Sequence, residues 1–124
     1  MNSIKQKSLF KKSYNKEKVR NRSKKVCKKM VNTIRTSGED DRLDDNAYKK
    51  YTNLTYLVIF GKKAEGLRNK FQIKNIRDYL KNNDLEKLKM IIETEKKMIQ
   101  HLDSGLKYKE IKEKMMVTKN KLVA

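Results

Sequence analysis

The stretch from Tyr48 to Leu80, YKKYTNLTYLVIFGKKAEGLRNKFQIKNIRDYL, holds the longest apolar cluster of the chain, Tyr56-Leu57-Val58-Ile59-Phe60, and most of its aromatic residues. Backwards from Phe60 at helical spacing come Leu57, Leu54 and Thr52, then Tyr51 and Tyr48. That is a broad apolar face with a period near 3.6 residues. Gly61 follows at once, where a residue able to take positive φ ends a helix. Ala64, Leu67 and Phe71 then fall on one side of a second short stretch, with Lys63, Arg68 and Lys70 elsewhere. The spacing predicts two helices joined at Gly61, the first buried deeply enough to form the core of a small domain.

Composition agrees with helices. The chain of 124 residues is short enough for one domain, and its 36% hydrophobic against 39% charged residues allow only a modest core. It has no proline and four glycines, so nothing forces frequent chain reversal. Lys, Glu, Leu, Met and Ile favour helix. The expected fold is all-α, a small bundle of about five helices with a basic, partly flexible N-terminal arm. The expected segments are an arm over 1–14, a cationic amphipathic helix over 15–37, an acidic loop over 38–46, a helical core domain over 47–116 and a basic tail over 117–124.

The helix before the core carries the clearest pattern. Val19, Val26, Cys27, Met30, Val31 and Ile34 fall on one side at 100° per residue, and Lys18, Arg22, Lys24, Lys25, Lys28, Lys29 and Arg35 on the other. Seven cations without an interleaved acid oppose helix formation through like-charge pairs, so a polyanion outside the chain is expected to offset the repulsion. Ser37-Gly38 closes this helix. Residues Glu39 to Asp45 form an acidic run without the spacing of a calcium loop, and Asp44 or Asp45 is expected to cap the next helix.

Beyond the central stretch, Ile73, Ile76, Tyr79 and Leu80 pattern a short helix, and Asp84 suits the N-cap of the next. Leu85, Leu88, Ile91, Ile92, Glu95, Ile99 and Leu102 mark a helix of about five turns that Gly105 stops. Leu106, Ile111, Met115 and Met116 pattern the last. The two helices about Gly105 have the outline of a helix-turn-helix, an outline that ordinary packing also produces.

The formal charge is +18, unevenly spread. Residues 1–37 carry 13 Lys/Arg against one acid, residues 38–47 carry net −4, and residues 48–124 carry net +10. Such a chain attracts polyanions, nucleic acid foremost. A single cysteine, Cys27, and a single histidine, His101, exclude an intramolecular disulfide and a zinc site of the Cys/His kind. No apolar run approaches the roughly 20 residues that cross a bilayer, and no secretory signal pattern opens the chain. A cytoplasmic location is expected, inside whatever cell the protein enters.

Catalysis finds little footing. The phosphate-loop, nucleophile-elbow and zinc-protease motifs are absent from the sequence. Glu65, Asp78, Glu93 and Glu95 could in principle hold magnesium, but each reads better as a surface partner of a neighbouring lysine. Cys27 sits on the apolar stripe as a small hydrophobe. Among the aromatics, Tyr48, Tyr51 and Phe60 fall at core spacing, which leaves Tyr14 and Tyr108 to stack on bases. No enzyme, cofactor or metal is expected.

Leu54, Thr55, Phe60, Gly61, Lys62, Ala64, Leu67, Arg68, Arg77, Asp78, Leu80 and Glu95, taken in order, resemble the C-terminal helical module of phage antirepressor-like and KilA-N or BRO-type proteins. The likeness covers about half the chain, with the basic 1–37 region where that family carries its DNA-binding domain. It implies a viral or mobile-element origin and a regulatory, non-catalytic role.

The reading as a whole is of a non-catalytic nucleic-acid-binding protein, with DNA ranked before RNA and no membrane partner. Its candidate phosphate contacts are Lys18, Arg22, Lys24, Lys25, Lys28, Lys29, Arg35, Lys62, Lys63 and Arg68. The core domain would offer a dimer surface. The alternative is a phage-encoded inhibitor or counter-defence protein that docks its basic face on a host protein or ribonucleoprotein.

Overall fold

The computed structural model describes residues 2–39 and 46–123, with side chains for 15–39 and 46–117. Those residues form six helices and no strand: α1 (Asn2–Thr36), α2 (Ala47–Phe60), α3 (Ala64–Phe71), α4 (Ile76–Asn83), α5 (Leu85–Asp103) and α6 (Tyr108–Val123). The fold is all-α. α1 begins at Asn2 rather than at residue 15, so residues 2–14, expected as a separate arm, continue the helix. α6 likewise runs on through the expected tail to Val123.

Local chemistry explains the boundaries. Gly38, Gly61 and Gly105 all take positive φ at helix ends. At Gly61 (φ 71°) the backbone N–H donates to the Leu57 carbonyl, a left-handed stop that any side chain would strain. The Asn75 side chain accepts from the Asp78 N–H to open α4, and Asp84 accepts from the Lys87 N–H to open α5, as its position in sequence suggests. The N-cap position of α2 is Asn46, with no side-chain capping bond; Asp44 and Asp45 lie outside the described residues.

α1 lies along α5 in the same direction. Arg22 approaches Glu93, and further along Lys25, Val26 and Lys29 line a hollow with Lys96, Ile99, Gln100 and Asp103. The core has two halves. One gathers Met30 and Ile34 of α1, Ala47, Tyr51 and Leu54 of α2, Met98, Ile99 and Leu102 of α5, and Ile111 and Met115 of α6. The other gathers Val19 of α1, Tyr56 of α2, Ala64 and Leu67 of α3, Ile76 and Leu80 of α4, and Leu88, Ile91 and Ile92 of α5. Val26 packs against both.

α2 is therefore covered on two faces, one at each end. Its first turns bury Ala47, Tyr51 and Leu54 in one half-core, and its last turns bury Tyr56 in the other. Tyr48, expected at a core position, is displaced onto the flank and is 39% exposed. Tyr108, expected as a free stacker, is half-buried and meets Tyr51 edge-on with ring centroids 5.2 Å apart.

Glu39, expected within an acidic loop, is fully buried. Its Oε2 accepts from the Tyr51 hydroxyl at 2.7 Å and from the Tyr108 N–H at 3.1 Å. The second bond satisfies an amide that the start of α6 leaves without a helical partner, and places a carboxylate at the positive end of that helix.

A candidate phosphate-binding surface and hollow

Docking of α1 buries Val19, Ser23, Met30 and Ile34, nearly buries the Arg20 side chain, and leaves the seven expected cations outside. Lys18, Arg22, Lys24, Lys25, Lys28, Lys29 and Arg35 are all exposed. By helical geometry they form two rows. Lys18, Arg22, Lys25 and Lys29 run on the flank nearer α5, and Lys24, Lys28 and Arg35 on the flank nearer α2. Among the described residues, only Arg22 of the seven has a carboxylate within reach, Glu93 at 4.0 Å. An exposed pair at that distance contributes little. Lys62 and Lys63 are exposed at the Gly61 turn, away from the α1 rows in sequence, and Arg68 is exposed on α3.

The second row runs into a hollow of about 510 Å³ between α1, α2 and the α3–α4 junction. Six cations line it: Arg20, Lys24 and Lys28 from α1, Arg68 from α3, Lys74 from the connection, and Arg77 from α4. No carboxylate of the described residues is in its lining. Three of the expected contacts, Lys24, Lys28 and Arg68, thus come together there; Lys63 lines an adjoining hollow of about 740 Å³. The two hollows share Tyr48, Thr52 and Arg68.

Arg77 anchors this site from below. It is 8% exposed, and its Nη1 donates to Glu95 Oε1 at 2.6 Å and to Ser23 Oγ at 3.3 Å. Burial alone would lower the Arg77 pKa; the hydrogen bond and charge of Glu95 outweigh it and hold the guanidinium above its ordinary value. Its Nη2 is buried, with no acceptor within 3.5 Å in good geometry among the described residues. The neighbouring Tyr56 hydroxyl is pushed up by burial, against the pull of the Arg77 charge and of hydrogen bonding from the same guanidinium. Arg20 also reaches Ser23, at 3.5 Å, and pairs with Asp78 at 2.8 Å. The hydrogen bond from Arg20 holds the Asp78 carboxyl below the usual range.

At the rim, Tyr48 Oη and Cys27 Sγ are 3.0 Å apart. Burial first, then the bond to the thiol, pushes the Tyr48 hydroxyl up to about 12. It is therefore a neutral phenol at physiological pH, and its ring forms a wall shared by both hollows.

The carboxylates offered as surface partners of lysines sort differently. Glu95 is 1% exposed and pairs with an arginine in the core. Asp78 pairs with Arg20, and Glu93 lies near Lys96 at 3.6 Å. No group of three His, Cys, Asp or Glu among the described residues gathers as a metal site would require. No described helix is long and apolar enough to cross a membrane.

Arg20, Lys74 and Arg77 are the lining residues that the periodicity did not single out, and Tyr48 is one that it assigned to the core. One signal was present: Glu95 interrupts an otherwise apolar stripe, and a carboxylate at a core position demands a buried cation. Compared with family models, curated proteins and solved structures, the chain has no match.

Proposed function

We propose that the protein binds nucleic acid without catalysis, by gripping phosphates with the exposed face of α1. The observation that supports this most is that the seven expected cations among those of α1 stay in solvent, almost unpaired, while the opposite stripe of the same helix packs into the core. Concentrating like charge on one helix costs stability, and a bound polyanion with release of its counterions returns it. Phosphate contacts position a protein without reading bases, so affinity rather than sequence preference is the expected property. The regulatory role in a phage or mobile element belongs to this proposal through the family resemblance.

If about seven cations meet phosphate, the log–log dependence of affinity on salt has a slope of about −6 on duplex DNA. Titration of random duplex DNA and structured RNA against salt measures that slope and ranks the two polymers. Replacement of Lys24, Lys25, Lys28 and Lys29 by glutamate abolishes binding with helicity intact. Wild-type affinity in that variant sinks the proposal. Weak, salt-insensitive binding to both polymers by the native chain favours the alternative, a basic face that docks on a host protein.

A further inference from the structure

We infer that the hollow between α1, α2 and the α3–α4 junction receives a phosphomonoester, the phosphate carried by a strand end or by a free nucleotide. The inference rests on the nucleic-acid reading only for the polymer as ligand source.

The first support is a fixed floor. Arg77 is part of the lining of the hollow, and its Nη1 is held by Glu95 and Ser23, which fixes the plane of the guanidinium. Its Nη2 is closed to solvent beside the Tyr56 hydroxyl, so the donors open to an anion in the hollow are those of the cations around it.

The second is charge. Arg20 and Arg77 have carboxylate partners, whereas no carboxylate among the described residues lies within 4.0 Å of Lys24, Lys28, Arg68 or Lys74. These four come from three separate segments and converge on one space that no acid lines. The start of α4 adds to them. Asn75 takes the Asp78 N–H, and helix geometry leaves the amides of Ile76 and Arg77 without helical acceptors at the positive end of the dipole.

The third is shape. About 510 Å³ is the scale of a small-molecule site, and donors on several sides suit a group with three oxygens pointing apart. A monoester carries about −1.5 to −2 charges at neutral pH, against one for a diester, and so answers four unpaired cations better. The adjoining hollow, reached past Tyr48, gives room for the sugar and base, with a phenol ring to stack on.

The test compares a single-stranded oligonucleotide bearing a 5′-phosphate with the same strand ending in a hydroxyl, by fluorescence anisotropy at physiological salt. The phosphorylated strand binds about tenfold tighter, the gain of an added charge-assisted contact. The preference shrinks as pH falls through the second phosphate ionisation, at about 6. Arg68→Gln with Lys74→Gln, both exposed, removes the preference while the protein keeps its helicity. AMP and inorganic phosphate serve as competitors: displacement by AMP as strong as by the phosphorylated strand identifies a free nucleotide as the source, and displacement by the strand alone identifies its end. Equal affinity for the two strands, with no displacement by AMP or phosphate, overturns the inference. Failure of unphosphorylated duplex to bind would bear on the α1 surface alone, so the two proposals fail separately.

Discussion

Replacing Glu95 with leucine tests what the buried pair does for the fold. Glu95 is 1% exposed and Arg77 8%, with 2.6 Å between their charged atoms, so the substitution strands a guanidinium charge in the core. Removing one partner of such a pair costs about 3–5 kcal/mol. A domain of this size has a total stability of roughly 5–15 kcal/mol, so the loss is a large share of it. At about 3–5 °C per kcal/mol, the unfolding temperature drops by roughly 10–25 °C. With a urea slope of about 1–3 kcal/mol/M, the midpoint moves by roughly 1–5 M.

Adding Arg77→Met should recover most of the loss. Two apolar side chains of similar volume fill the space without a charge to desolvate, and replacements of this kind are commonly neutral or stabilising. Ser23 loses one donor in the double variant and keeps Arg20 at 3.5 Å. Urea unfolding followed by helical circular dichroism, on both single variants and the double, gives the coupling energy directly. A loss under about 1 kcal/mol in Glu95→Leu, or a double variant no more stable than that single, refutes the account of a desolvated pair. The double variant also separates roles, because it keeps the fold while removing the guanidinium from the floor of the hollow.

Two further outcomes can be checked. Glu39→Gln weakens the acceptor shared by the Tyr51 hydroxyl and the Tyr108 N–H, and should lower stability by about 1–3 kcal/mol in the same urea assay; an unchanged midpoint counts against the bridge. Asp78 and Glu17 have folded pKa values below their unfolded ones, held there by hydrogen bonds from Arg20 and Lys81 respectively. Their contribution is therefore complete above the unfolded carboxylate range near about 4 and is lost as pH falls through the folded values. The urea midpoint should stay level from neutral pH down to about 5 and then decline, less steeply in Arg20→Gln; equal decline in both removes Asp78 from the explanation.

Much of the architecture was legible because it follows from local rules. Helical spacing located α2 to α5, the glycines marked three stops, and Asp84 declared itself as a cap. The cationic face of α1 was legible for the same reason, since a helix has only one other face to bury. Tyr48 was misplaced because a single apolar stripe was read along α2, whereas its two ends are buried by different neighbours. The pairings of Arg77 and Arg20 escaped notice because their partners lie 18 and 58 residues away in sequence. Periodicity does not register a pairing of that range. Glu39 escaped because its run of acids resembles solvated loop, and only the tyrosines of α2 and α6 reveal the buried one.

The division of the core into two halves sets how the molecule opens. α1, α2 and α5 contribute to both halves, whereas α3 and α4 belong to one and α6 to the other. Amide hydrogens in the middle of α1 and α5 should therefore exchange only through global unfolding, and those of α3–α4 and of α6 through separate, cheaper openings. Arg68, Lys74 and Arg77 all ride on the α3–α4 unit or its connection, facing Lys24 and Lys28 on the rigid frame. An anion that ties the two together would slow exchange in α3–α4 and leave α6 untouched, so its binding site could be located by deuterium uptake alone.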